Sequence, residues 1–175
     1  MGIMGKRSEF KRQPRDFYPT PFECVEPLIQ HLSKNFTFTE PCAGDGALCG
    51  HLEHWGGRCL WASDLLPHHE GIYRNDYSAV GETELRGSDY IITNPPWDRK
   101  LLHPMIDHFR TQRDTWLLFD ADWMHTAQSR PYMQNCQKIV SVGRVKWFGN
   151  MTGKDNCAWY LFTNRPATRT QFIGR

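Results

Sequence analysis

Short apolar segments that alternate with helical segments constrain the fold of this 175-residue chain most strongly. Segments with strand character cover 35–40, 57–64, 89–94, 115–120, 138–148 and 157–163. Helical patterns cover 20–32, 47–55 and 101–110, the last of them broken near Pro104. Strands that alternate with helices favour a mostly parallel sheet covered on both faces. The last two strands have no helix between them, so they are predicted to form an antiparallel hairpin.

Length and charge predict one folded domain preceded by a basic arm. A chain of this size supports one sizeable core and is short for two. The net charge is only +2, yet five basic side chains crowd the first fifteen residues, at Lys6, Arg7, Lys11, Arg12 and Arg15. We therefore divide the chain into a basic, flexible arm over 1–15 and a single domain over 16–175. The charge of the arm suits an anionic partner, and it equally suits a solvated arm.

The cysteines and the hydropathy exclude several classes of protein. None of the six cysteines belongs to a CxxC pair or to a zinc-finger pattern, so no metal site is predicted. No apolar leader follows the basic residues, and no run approaches the roughly 20 apolar residues of a membrane span. These features favour an intracellular protein with reduced thiols.

A glycine turn follows the first predicted strand, in the stretch EPCAGDGAL over 40–48. In a doubly wound sheet, ligands bind outside the carboxyl ends of the strands, where glycines let a ligand approach the backbone. Gly44 and Gly46 suit that use, although Cys49 stands where a GxGxxG pattern has its third glycine. The alternative is an ordinary glycine-rich turn.

Two acids follow at the ends of the next strands. Asp64 ends the second strand about 20 residues after the glycine turn, where such folds place an acid that binds the ribose of an adenosine cofactor. Asp76 lies near the end of a short third strand, within reach of an adenine ring. Either acid would also suit a helix cap or a turn.

The fourth strand ends in Asn94-Pro95-Pro96-Trp97, named here the NPPW loop. The two prolines remove two backbone donors and restrict Asn94 to extended conformations. The side-chain oxygen of Asn94 and the carbonyl of Pro95 are placed to accept both hydrogens of one amino group, while Trp97 offers a ring for stacking. The loop therefore predicts a site for a planar amine, unless it only terminates the strand.

These motifs together resemble the amino-methyltransferase family that uses S-adenosylmethionine, and residues 16–163 resemble small phage-type DNA adenine methyltransferases. The segment DFYPTP over 16–21 is similar to the part of that family that closes over the methionine moiety of the cofactor. The resemblance implies a Rossmann-like class I methyltransferase fold, with a mostly parallel twisted sheet and an antiparallel C-terminal hairpin. DNA enzymes of that family often carry a separate target-recognition domain, for which we expect no room in this chain.

The resemblance also implies the site residues and the reaction. Catalytic positions are Asn94, Pro95, Pro96 and Trp97. Cofactor-binding positions are Tyr18, Thr20, Pro21, Glu40, Pro41, Cys42, Ala43, Gly44, Gly46, Asp64, Leu65, Asp76, Tyr77 and Asn94. The implied reaction is methyl transfer to the N6 amino group of a flipped adenine in DNA, by direct attack of the amine. NPP tetrapeptides also occur in RNA-base and protein-glutamine methyltransferases, and a non-catalytic nucleic-acid-binding protein would retain the same fold.

The expected partner is DNA, double-stranded in preference to single-stranded, with RNA as the alternative. Candidate phosphate contacts are Lys6, Arg7, Lys11, Arg12, Arg15, Lys146 and Lys154, together with the segments 120–132 and 149–156. Most of these side chains can neutralise phosphates, and few can contact base edges, so we predict a short or degenerate recognition sequence. We expect a monomer or a weak homodimer in the cytoplasm, which is the host's if a phage encodes the protein.

Overall fold

A computed structural model describes residues 17–147 and 155–175 of the chain. The predicted basic arm over 1–15 lies outside the described residues, as do Lys154 and most of the loop at 149–156. The strands are β1 Thr37–Glu40, β2 Arg58–Asp64, β3 Tyr73–Arg74, β4 Tyr90–Thr93, β5 Asp114–Asp120, β6 Cys136–Arg144, β7 Asn156–Phe162 and β8 Gln171–Ile173. They form one sheet in the order β3-β2-β1-β4-β5-β7-β6-β8.

The sheet confirms the predicted mixture of parallel and antiparallel pairing. Strands β3, β2, β1, β4 and β5 are parallel to one another, whereas β7 is antiparallel to both β5 and β6. The predicted hairpin of β6 and β7 is therefore present. Strand β8 pairs in parallel with β6 and was not predicted, because three residues, two of them exposed, form no apolar run.

The helices are α1 Glu26–Ile29, α2 Ala47–His54, α3 Glu82–Leu85, α4 Arg99–Arg110 and α5 Arg130–Met133. The predicted first helix is shorter than expected, because a 3-10 turn over Phe22–Cys24 precedes α1. The predicted break at Pro104 is wrong, since α4 continues through it. Pro104 is exposed, so water can satisfy the carbonyl that loses its partner, while buried Leu102 and Ile106 hold the helix on the sheet.

Two apolar layers cover the opposite faces of the sheet. Leu48 and Leu52 of α2 belong to one layer, and Leu102 and Ile106 of α4 belong to the other. Strand β1 lies between β2 and β4, because the chain winds outward from β1 to β3 and then crosses back to β4. In such sheets the crevice at this reversal is where ligands bind. The fold therefore places the carboxyl ends of β1 and β4 side by side at that crevice.

Neither a membrane span nor a metal cluster is found in the described part of the chain. No helix there is long and apolar enough to cross a bilayer. Over the same residues, no three His, Cys, Asp or Glu side chains are grouped as the ligands of a metal ion.

Candidate active site

The glycine turn after β1 is built around two left-handed residues, Gly44 with φ +55° and Gly46 with φ +83°. L side chains rarely adopt these angles. A Cβ at position 44 would also lie 2.7 Å from Cε2 of Phe17. The ring of Phe17 stacks on that of His68 with centroids 4.2 Å apart, and the backbone of His68 donates to the Gly44 carbonyl at 2.9 Å. The positive φ and the contact with Phe17 therefore both favour glycine at position 44.

Asp64 lies at the carboxyl end of β2, where the sequence predicts it, and its carboxylate clamps the glycine turn. One oxygen accepts the Gly44 amide at 2.9 Å, and the other accepts the Leu66 amide at 2.8 Å. Each carboxylate oxygen has a further lone pair for a ligand. Leu65, beside it, is exposed. Asp64 thus has a structural role in addition to the predicted ribose contact.

Glu40 ends β1 as a buried carboxyl group, with 1% of its surface exposed. Burial raises the pKa of Glu40 well above its usual range, and the nearby carboxylates of Asp64 and Asp45 act in the same direction. A hydrogen bond from the Cys49 thiol at 2.8 Å opposes this increase. No Lys or Arg of residues 17–147 and 155–175 forms an ion pair with these acids. Burial favours the neutral form of Glu40, whereas Asp45 and Asp64 have no ion-paired Lys or Arg among the described residues, so these two acids suit the crevice to a positively charged ligand.

The predicted closing segment, described from Phe17 onward, lies across the ends of β4 and α2. The Asn94 amide donates to the Thr20 hydroxyl at 3.2 Å and to the Tyr18 carbonyl at 3.4 Å. The ring of His51 on α2 bonds the Thr20 carbonyl at 3.0 Å. Pro21 follows directly and precedes the 3-10 turn. The structure therefore joins Tyr18 and Thr20 to Asn94, from which they are separated by more than 70 residues in sequence.

The NPPW loop presents the Asn94 amide in one orientation. Its nitrogen is bonded to the closing segment, and its oxygen accepts the Trp97 indole N–H at 3.3 Å. Pro95 is buried, while Pro96 and Trp97 are half-buried. Arg99 supports the loop from α4 by donating to the Trp97 carbonyl at 3.5 Å and to the Asp120 carboxylate at 3.2 Å. The Asn94 oxygen therefore lies beside Trp97, with one lone pair left for a ligand.

Trp147 is a candidate site residue that the sequence did not predict. Its ring lies edge to face with Trp97, at a centroid distance of 5.8 Å and an angle of 83°. It also contacts Tyr18 at 6.1 Å. The sequence places Trp147 inside a strand over 138–148, whereas β6 ends at Arg144. The signal that could have identified Trp147 in the sequence is an aromatic residue just past the carboxyl end of a strand. Together these three rings form one wall beside Asn94.

The remaining predicted cofactor-binding residues lie in the glycine turn and just after β3. Pro41 and Ala43 are buried in the glycine turn, and Cys42 packs partly against the layer that contains α4. Asp76 caps a 3-10 turn by accepting from the Ser78 backbone and hydroxyl, and these bonds lower the pKa of Asp76. The Tyr77 ring packs edge to face against Phe109 of α4. Of the basic candidates, Lys146 is described, and it is exposed next to Trp147.

Comparisons with known proteins identify the fold. No protein family and no curated protein matches the sequence. A Pyrococcus horikoshii protein provisionally described as an RNA methyltransferase is similar in structure, with a TM-score of 0.63 and 14% identity over 90% of this chain and 93% of that one. A Streptococcus thermophilus type I restriction-modification methyltransferase subunit has a TM-score of 0.58 at 11% identity, over 90% of this chain and 47% of its own.

A dimethyladenosine transferase of Plasmodium falciparum is also similar, with a TM-score of 0.54 and 15% identity over 83% of this chain and 62% of that one. Identities this low compare folds and carry no activity across. The chain therefore has the class I methyltransferase fold, which confirms the fold implied by its motifs.

Proposed function

We propose that this protein transfers a methyl group from S-adenosylmethionine to the N6 amino group of adenine in DNA. The observation that carries the proposal is the fixed amide of Asn94, bonded to Thr20 and Trp97 beside an acid-lined glycine turn. An amine site and a cation site thus meet at the reversal of strand order between β1 and β4.

The crevice fits S-adenosylmethionine by charge. The molecule carries a sulfonium and an ammonium group, and Asp45 and Asp64 supply carboxylates that have no ion-paired Lys or Arg among the described residues. Asp64 keeps lone pairs for the ribose hydroxyls, and the glycines at 44 and 46 allow close approach to the backbone. When bound, the cofactor supplies an electrophilic methyl group. The closing segment at Tyr18 and Thr20 separates it from water.

The NPPW loop orients the amine. The Asn94 side-chain oxygen and the Pro95 carbonyl accept the two hydrogens of the adenine amino group, which leaves the nitrogen lone pair directed towards the crevice. The same two acceptors then hold the surplus proton until water removes it, so the loop needs no strong base. The flipped adenine stacks on the face of Trp97, and Trp147, which is edge to face with Trp97, contacts the edge of the base.

The choice of DNA over RNA as the substrate is the more specific part of the proposal. It is supported by the NPPW and closing-segment motifs, by the exposed Lys146 beside the aromatic wall, and by the restriction-modification subunit among the similar structures. An RNA base is the second candidate. It is favoured by the Pyrococcus horikoshii protein, because that chain and this one match over nearly their whole lengths.

Transfer of a deuterated methyl group from labelled S-adenosylmethionine tests the proposal. Purified protein is incubated with duplex DNA, with the same duplex containing purine in place of adenine, and with RNA of the same sequence. We expect labelled N6-methyldeoxyadenosine from the first substrate alone, and its loss with Asn94→Ala. Label in RNA alone would establish the second candidate. Label on no nucleic acid, with the cofactor bound normally, would refute both.

A further inference from the structure

A groove at the carboxyl edge of the sheet is lined by residues of the candidate DNA-contact segments 120–132 and 149–156, and by none of the predicted catalytic or cofactor-binding residues. It has a volume of about 460 Å³ and is lined in part by Arg144 of β6, Asn156 of β7, Met124, Phe172 of β8 and Arg175. That volume falls within the roughly 300–1,000 Å³ of small-molecule sites. Since β7 is antiparallel to both β5 and β6, the latter two run in the same direction. The groove therefore opens at the edge that carries Asn94.

Contacts connect this groove to the NPPW loop. Arg99 donates to the Trp97 carbonyl and to the Asp120 carboxylate at the end of β5. The next residue, Ala121, lines the groove. The hydroxyl of Tyr160 donates to the Asp120 carbonyl at 2.9 Å and holds this corner in place. The end of β5 therefore connects the NPPW loop to one wall of the groove.

The groove combines positive charge with an exposed aromatic ring. Neither Arg144 nor Arg175 forms an ion pair with a carboxylate in the described part of the chain. Phe172 is 59% exposed, which is high for a large apolar side chain. The Arg175 guanidinium lies over Gly143, where a Cβ would be 2.7 Å from one of its nitrogens. Gly143 has φ +85° and lies at an irregularity in the pairing of β6 with β7, so the strand has no side chain where the arginine lies.

We infer that this flanking groove binds the DNA nucleotide next to the target adenine, with its phosphate on Arg144 and Arg175 and its base against Phe172. Guanidinium groups form paired hydrogen bonds with phosphate, and aromatic rings stack on any base. Such contacts give affinity and register with little sequence information. The inference rests on the proposed function, since it makes the groove part of the same substrate site.

Binding of a fluorescein-labelled DNA oligonucleotide, measured by anisotropy over a salt series, tests the inference. Arg144→Ala and Arg175→Ala should each weaken binding and reduce the slope of log affinity against log salt by about one. Phe172→Ala should weaken binding about tenfold, and Phe172→Tyr should restore it, because tyrosine keeps an aromatic face. The matched control is Arg169→Ala, which removes an exposed arginine just before β8, at the opposite edge. Cofactor affinity and melting temperature should stay unchanged in all variants.

The two proposals fail in different ways. Methyl transfer to DNA by the wild type, with the Arg144→Ala and Arg175→Ala variants binding DNA like Arg169→Ala, would overturn the groove and leave the function intact. The predicted binding losses without any transfer by the wild type would overturn the function and the link to a target adenine, and would leave the groove as a DNA-binding surface. Losses confined to an RNA oligonucleotide would overturn the assignment to DNA.

Discussion

Replacing Asn94 with alanine separates structure, cofactor binding and chemistry. The amide makes three hydrogen bonds of 3.2–3.4 Å, to Thr20, Tyr18 and Trp97. A hydrogen bond contributes about 0.5–1.5 kcal/mol to stability, and these long, half-exposed ones belong at the low end. Asn94→Ala should therefore lower the free energy of unfolding by about 1.5 kcal/mol, which is about 3–6 °C in melting temperature for a chain of this size.

The effect on turnover should be much larger than the effect on stability. Loss of one preorganised hydrogen-bonding group commonly lowers kcat by at least about 100-fold, and Asn94 also fixes the amine. Affinity for S-adenosylmethionine, measured by calorimetry, should change little, because Glu40 and Asp64 remain. Asn94→Asp is the control, since it keeps an acceptor oxygen and should retain more activity than alanine. A folded, cofactor-binding Asn94→Ala variant within about threefold of wild-type activity would refute the reasoning.

Three further predictions concern neighbouring residues. Asp64→Ala should weaken S-adenosylmethionine binding about tenfold or more through lost charge-assisted bonds, and an unchanged dissociation constant in calorimetry would remove Asp64 from the cofactor site. Glu40→Gln should raise the free energy of unfolding above about pH 5 and leave it unchanged below about pH 4. The reason is that burial raises the pKa of Glu40, so the carboxyl ionises in the unfolded chain at a lower pH than in the folded protein, and wild-type stability falls as the pH rises above the unfolded value. Urea unfolding over a pH series checks this, and a gain independent of pH would contradict it. Trp147→Ala and Trp97→Ala should reduce extrusion of a fluorescent adenine analogue, with smaller losses for phenylalanine. Signals equal to wild type would assign both rings to the core.

The parts of the fold that the sequence predicts are those with strong local signals. Strands β4, β5 and β7 are largely buried apolar runs that end in polar residues, and their burial needs no knowledge of distant partners. Strand β8 and helix α3 are three and four residues long, so no periodicity reveals them. Their positions are set by pairing with β6 and by packing beneath the sheet.

The residues of the candidate site likewise divide into those with a local sequence signal and those without one. Asn94, Gly44 and Asp64 were recognisable because prolines, glycines and a strand end mark them within a few residues. Trp147 was not, since only the early end of β6 and contacts with Trp97 and Tyr18 bring its ring to the site. The clamp between Asp64 and the Gly44 amide likewise depends on the register of β1 against β2, which no short motif encodes.

Mass-spectrometric analysis of nucleosides tests the central claim most directly. DNA and RNA are isolated from cells that express the wild-type protein, from cells that express Asn94→Ala, and from cells with neither, and both nucleic acids are hydrolysed to nucleosides. The proposed function predicts N6-methyldeoxyadenosine in DNA above background with the wild type alone, and no new methylated ribonucleoside. New methylation confined to RNA, or found on cytosine, or equal with Asn94→Ala, would contradict it.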